Sequence, residues 1–279
     1  MASTRGMVAL LMFALCLSPS ARPAAGAAHR PRPNRPSPSA AKAETAPADA
    51  QGPGIRRVAT QEKVVALTLD DGPDPKYTPM VLGLAREHHI ALTFFVTGEH
   101  VKLHPELTRR ILAEGHAIGN HTWSHNVLLG RSQAEDVAEI EACGAEIEKI
   151  CGRHTRLFRP PKGQVDENVA RAAESLGCEV VLWLVTVEHR DTKTPQAMAE
   201  RVLQRVRPGA IILAHDGCPH QPINRDKTMA ALPILVEALQ KQGYRFVTVP
   251  QLLALAAERS SISESEHEEV REHPQTSSR

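Results

Sequence analysis

From Val58 to Ala257 the chain alternates short apolar runs with amphipathic stretches. Val64-Val65-Ala66-Leu67, ended by Thr68-Leu69-Asp70-Asp71-Gly72-Pro73, predicts a buried strand that runs into a turn. The same pattern predicts strands over Val64–Leu69, Ala91–Val96, Ala117–Ile118, Leu157–Phe158, Glu179–Val185, Ala210–Ala214 and Arg245–Val249. Helices fill the intervals. Ser132 with Glu135 makes a capping-box pattern ahead of a helix running to about Ile150, and Thr194-Pro195 offers an N-cap and a first-turn proline. Leu176-Gly177 and Gln242-Gly243 read as helix stops. Seven short strands alternating with helices predict an α/β fold with a parallel sheet, either a barrel or an open doubly wound sheet. No glycine-rich dinucleotide loop follows the first strand, which counts against the open nucleotide-binding version.

Outside that region the alternation stops. Residues 1–28 read as a signal peptide: Arg5, an apolar run from Met7 to Leu17, and small residues at Ala25-Gly26-Ala27. The run is too short to span a bilayer. Leu15 before Cys16 is bulky where a lipoprotein signal needs a small residue, so export is favoured over lipid anchoring. Ser18 to Gly54 holds eight prolines and no aromatic residue, so residues 29–55 are assigned to an extended linker that buries no core. The polar, Glu- and His-rich stretch 259–279 reads as a disordered tail. Residues 56–258 remain as one domain.

Composition changes this picture little. Lys plus Arg (33) balances Asp plus Glu (32), so no global field points to nucleic acid or an anionic membrane surface. After signal cleavage the expectation is an exported chain with no stable membrane insertion, acting as a monomer. Cys143, Cys151, Cys178 and Cys218 match no zinc spacing, and a domain of this size does not need a bridge. Histidine is the abundant polar residue, at 14.

Residues capable of chemistry follow the predicted strand ends. Asp70 and Asp71 follow the first, His121 and His125 the third, Arg159 the fourth, and His215 ends the sixth. In a parallel barrel these ends share one face, so distant residues meet around one site. Adjacent side chains at a strand end diverge, which lets one carboxylate bind a metal while its neighbour acts as a base beside it. His121 and His125, four apart, can grip one ion, and with Asp71 they make a three-ligand set with room for water. Zinc is the default ion, although this donor set suits other divalent transition metals. Arg159, fixed by Pro160-Pro161, can orient Asp70 and favour its ionised form.

Thr68 to Gly72, His121 to His125, Arg159-Pro160-Pro161-Lys162-Gly163 and Leu213-Ala214-His215 resemble, in order, four of the five motifs of the NodB-type polysaccharide deacetylases, carbohydrate esterase family four. The resemblance covers about Val58 to Ala257. It implies a distorted (β/α) barrel of about seven parallel strands and metal-dependent removal of acetyl groups from N-acetylated sugars, or of O-acetyl groups in a few members. By position, it implies Asp70 as general base, Asp71, His121 and His125 as metal ligands, and His215 as general acid, with Arg159 completing the catalytic set. It places Leu213 beside the acetyl methyl, the backbone N–H of Lys162 at the oxyanion, and Trp183 on the substrate side.

The chain departs from the family after the fifth strand, where Trp183-Leu184-Val185-Thr186-Val187-Glu188-His189-Arg190-Asp191 puts Thr186 and His189 at positions expected to hold carboxylates. Arg159 is then expected to pair with Glu188 or Asp191, or to stand without a partner. The sequence thus predicts an exported, metal-dependent deacetylase of an N-acetylhexosamine polymer or oligomer. An O-acetyl esterase on a xylan-like polysaccharide and a catalytically weak glycan-binding relative are the alternatives.

Overall fold

The computed structural model describes residues 53–257; the expected signal peptide, nearly all of the linker and the C-terminal tail lie outside them. In chain order the elements are β1 (Val64–Asp70), α1 (Tyr77–Glu87), β2 (Thr93–Val96), α2 (Gly98–Leu103), α3 (Pro105–Ala113), β3 (Ala117–Asn120) and α4 (Gln133–Cys151). They continue with β4 (Leu157–Phe158), α5 (Glu167–Ser175), β5 (Glu179–Val180), β6 (Val185–Thr186), α6 (Pro195–Leu203), β7 (Ala210–His215), α7 (Asp226–Lys241) and β8 (Arg245–Phe246), and a last helix covers residues 249–257. The caps follow the sequence. Ser132 and Glu135 form the reciprocal capping box of α4, Thr194 caps α6 with Pro195 in its first turn, and Gly177 and Gly243 take left-handed conformations just past α5 and α7.

All strands are parallel, in the order β5-β4-β3-β2-β1-β7-β6, with β8 also on β1. The predicted strand Glu179–Val185 is two short pieces, and the reason is the closure of the sheet. Its first part, β5, pairs with β4 at one edge, and its second part, β6, pairs with β7 at the other. One stretch of chain therefore joins both edges of the curled sheet into a distorted barrel. Between the two pieces, Val181 bridges to Ile55 and Leu182 N–H donates to the Ile55 carbonyl, so pairing begins one residue before the expected domain start. The predicted strand Arg245–Val249 is also shorter than expected, because Val249 already begins the last helix.

Strand alternation separates two of the three core clusters. Val65, Leu67 and Leu69 of β1, Phe94 and Val96 of β2, and Ala210, Ile212 and Ala214 of β7 face the surrounding helices. Val64, Ala66, Phe95, Leu157, Val181 and Ile211 fill the barrel, where Val249 and Leu252 of the last helix join them. Continuing the inner parity places Thr68 and Asp70 above Val64 and Ala66, and Leu213 and His215 above Ile211. The register Thr68 to Leu213 and Asp70 to His215 puts these four polar and apolar positions side by side at the C-terminal mouth.

Candidate active site

Asp70 is the last residue of β1 and its side chain is almost wholly buried. Such a carboxylate needs fixed donors. Arg159 Nη1 supplies one, 2.6 Å from Asp70 Oδ1. The other oxygen, Oδ2, lies 3.6 Å from His121 Nε2. Asp71, one residue on, turns away from the strand with a left-handed φ of 76°. Its Oδ1 lies 3.5 Å from His121 Nε2 and 3.3 Å from His125 Nε2. Both carboxylates thus reach the His121 imidazole, Asp70 through the oxygen not held by Arg159 and Asp71 through the oxygen that also faces His125.

Asp71, His121 and His125 are the one set of three or more candidate metal-ligating side chains whose donor atoms converge among the described residues, all within 4.8 Å of one another. The residues fit a divalent transition metal on four counts. Their donors are one carboxylate oxygen and two imidazole nitrogens, the chemistry of an open catalytic site. His121 Nδ1 lies 2.7 Å from the Arg159 carbonyl; a proton held there leaves the Nε2 lone pair turned to Asp71. His125 is neutral at physiological pH, its pKa pushed down to about 4 by burial and by the neighbouring His121. Burial works to raise the Asp71 pKa, but the imidazoles of His121, His215 and His125, which gain charge as pH falls, outweigh it and hold the carboxyl well below its usual range.

Arg159 is the centre of the arrangement and is completely buried. Nη1 donates to Thr68 Oγ1 at 2.8 Å as well as to Asp70, Nε to the Val181 carbonyl at 3.1 Å, and Nη2 to the Leu182 carbonyl at 3.1 Å. Those carbonyls lie in the seam between β5 and β6, so the guanidinium takes acceptors there as it fixes Asp70. Its Cζ stacks 3.9 Å from the Phe95 ring centroid and 5.6 Å from that of Trp183. Gly163 permits the Trp183 position: at φ 64° it lies so close that a Cβ would sit 2.5 Å from the ring.

Neither carboxylate expected beside Arg159 is its partner. Asp191 is exposed and pairs with His189, Oδ2 to Nδ1 at 3.3 Å. Glu188 turns to His215 instead. Its Oε2 lies 3.2 Å from His215 Nδ1, while Oε1 accepts from the His215 backbone N–H at 3.1 Å and from the Thr228 hydroxyl at 2.9 Å. Burial alone would lower the His215 pKa; the Glu188 carboxylate, with Asp71 and Asp70 beyond it, raises it. Asp70 already meets Arg159 directly, so the guanidinium needs no carboxylate from this segment.

Leu213 is buried on β7 two residues before His215, and Trp183 is half-buried against Arg159. Lys162 sits in a short turn, Pro161–Gly163, at φ 59°, with an exposed side chain. Four contributors escaped the sequence reading: Thr68 beside Arg159, Thr228 beneath Glu188, His100, whose Nδ1 lies 2.8 Å from the Asp71 carbonyl, and Arg225, whose Nη2 lies 3.3 Å from Asp71 Oδ2. Of these, Arg225 stands in the loop after the strand that ends in His215, but no local pattern marked it as part of the site.

Known proteins resemble this chain in sequence and architecture. The family model described as polysaccharide deacetylase matches residues 57–181. A peptidoglycan-N-acetylglucosamine deacetylase of Bacillus cereus is 39% identical over 198 residues, covering 70% of this chain and 91% of that protein. A chitooligosaccharide deacetylase of Azorhizobium caulinodans is 36% identical over 204 residues, covering 70% of this chain and 96% of its own. Among solved structures, a family 4 acetyl xylan esterase from Clostridium thermocellum in complex with a cobalt ion superposes with a TM-score of 0.63 at 33% identity, covering 69% of this chain and 91% of that one.

Proposed function

The chain belongs to the polysaccharide deacetylase family, and on that premise we propose that it is an exported, metal-dependent hydrolase that removes N-acetyl groups from N-acetylhexosamine polymers or oligomers of the peptidoglycan or chitin kind. The observation that carries this reading is the pair of unlike proton carriers at one barrel mouth: a carboxylate pinned by arginine and a histidine held by glutamate. The export part rests on the first 28 residues of the sequence. No helix among the described residues is long and apolar enough to cross a membrane.

A divalent ion held by Asp71, His121 and His125, zinc being the default, would supply a water of lowered pKa and polarise the acetyl carbonyl. Asp70 Oδ2, the oxygen Arg159 leaves free, takes the proton of the attacking water. Arg159 fixes Asp70 in place. The Lys162 backbone N–H donates to the oxygen that gains charge, Leu213 packs on the acetyl methyl, and Trp183 borders the sugar. His215 faces Glu188 through Nδ1, which leaves Nε2 to protonate the departing amine. Amide nitrogen needs that proton, because an amide anion is a very poor leaving group. The carbonyl carbon gains the water oxygen and loses nitrogen, giving acetate and a free amino sugar.

Acetate release should be seen with chitooligosaccharides or N-acetylated peptidoglycan, should stop after treatment with a chelator, and should return with added zinc or cobalt. Release from acetylated xylan alone would make the chain an O-acetyl esterase, the reading favoured by its likeness to the xylan esterase. No release from any of these by metal-loaded protein would leave a glycan-binding relative.

Glu188 is a positioning residue for His215, and its removal has a signed consequence. A general acid works while protonated, so activity falls as pH rises through its pKa. Glu188→Gln keeps the bonds to Thr228 and the His215 N–H but removes the charge that raises the His215 pKa. The alkaline limb of the kcat profile should therefore move to lower pH. Turnover at pH 7 should fall by at least about 10-fold and by no more than the roughly 10²–10⁴ that a general acid contributes. A pH–rate profile superimposable on wild type would remove Glu188 from the mechanism.

A further inference from the structure

Arg225 is the residue before α7, in the loop after the His215 motif and outside every motif that marks the site. Its side chain nonetheless reaches the site. Nε donates to the Gly217 carbonyl at 3.1 Å and Nη2 to Asp71 Oδ2 at 3.3 Å, and its backbone N–H donates to the Tyr77 hydroxyl at 3.0 Å. The Tyr77 hydroxyl in turn donates to Asp226 Oδ1 at 3.1 Å, which ties the start of α7 to α1. Gly217 lies directly on Asp71: a Cβ there would fall 2.4 Å from the Asp71 carbonyl oxygen. Asp71, Gly217 and Arg225 thus form a closed ring of contacts. On the far side, Asp71 Oδ1 is turned to both imidazoles.

We propose that Arg225 is a positioning residue that occupies Oδ2 of Asp71 and so commits the single oxygen Oδ1 to the metal position. A carboxylate can rotate and offer an ion one oxygen or two. Here the second oxygen is buried and already hydrogen-bonded, and the Asp71 backbone is braced by His100 at its carbonyl. Arg225 therefore narrows the binding mode of Asp71 to one, in the manner of the outer groups that orient metal ligands elsewhere. The inference rests on the proposed metal site, and its test is arranged so that the two can fail separately.

Metal-stripped wild type, Arg225→Met and Arg225→Gln would be titrated with Co²⁺ in competition with a chromophoric chelator, and their visible spectra recorded. His125→Ala serves as the control for the site itself. Both Arg225 variants should bind Co²⁺ about 10-fold more weakly, the low end of what such orienting groups contribute, and their absorption bands should weaken and shift as Asp71 becomes free to offer both oxygens. Removing a positive charge near the ion would by itself tighten binding. Binding as tight as wild type or tighter, or an unchanged spectrum, in whichever variant folds with wild-type circular dichroism, therefore overturns the role of Arg225. Stoichiometric Co²⁺ retained by His125→Ala would instead overturn the metal site.

Discussion

Asp70→Asn should leave metal content intact and remove nearly all turnover, by about 10² to 10⁴ in kcat, the contribution of a positioned general base. Asparagine has nearly the shape of aspartate and can still accept from Arg159 Nη1 through its carbonyl oxygen, so the buried hydrogen bond survives. What is lost is the oxygen opposite, which becomes an amide unable to take a proton. Asp71→Asn, one residue on, should behave differently. It replaces the carboxylate that faces both imidazoles, so metal binding itself should weaken. Metal analysis beside kcat separates the two cases. Metal lost from the Asp70 variant and kept by the Asp71 variant would show that their roles are exchanged.

The parts of this site that were legible in the sequence are those written locally. Asp70-Asp71 at a strand end, two histidines four apart and an Arg fixed by two prolines each announce themselves within five residues, and a parallel barrel brings such ends together. The capping box of α4 and the proline start of α6 are local in the same way. What failed depended on distant partners. The stretch 179–185 has the composition of one strand, but its middle is shaped by Ile55 and by the Arg159 guanidinium, neither of which its own residues encode. Glu188 lies beside positions where carboxylates were expected, which suggested a partner for Arg159; the fold points it at His215, 27 residues on. Arg225 reads locally as the start of a helix. Its contact with Asp71 spans 154 residues, a separation over which side-chain pattern carries no signal.

Arg159→Met should be the most destabilising single change at the site, because the residue closes the barrel seam as well as serving Asp70. Methionine fills much of the same space between Phe95 and Trp183 but carries no donor. Asp70 is then a buried carboxylate without its counter-charge, a change that typically costs about 3–5 kcal/mol. The Val181 and Leu182 carbonyls lose the guanidinium as well, and each unsatisfied buried acceptor adds about 1–3 kcal/mol wherever water does not replace the donor. Urea unfolding of the metal-free protein measures the sum. Combining Arg159→Met with Asp70→Asn removes the stranded charge, so the double variant should be more stable than Arg159→Met alone even though it carries one more substitution. That inversion separates a buried ion pair from simple loss of packing. If the second substitution instead adds its own penalty, Asp70 does not depend on Arg159 for its charge, and the guanidinium serves the seam alone.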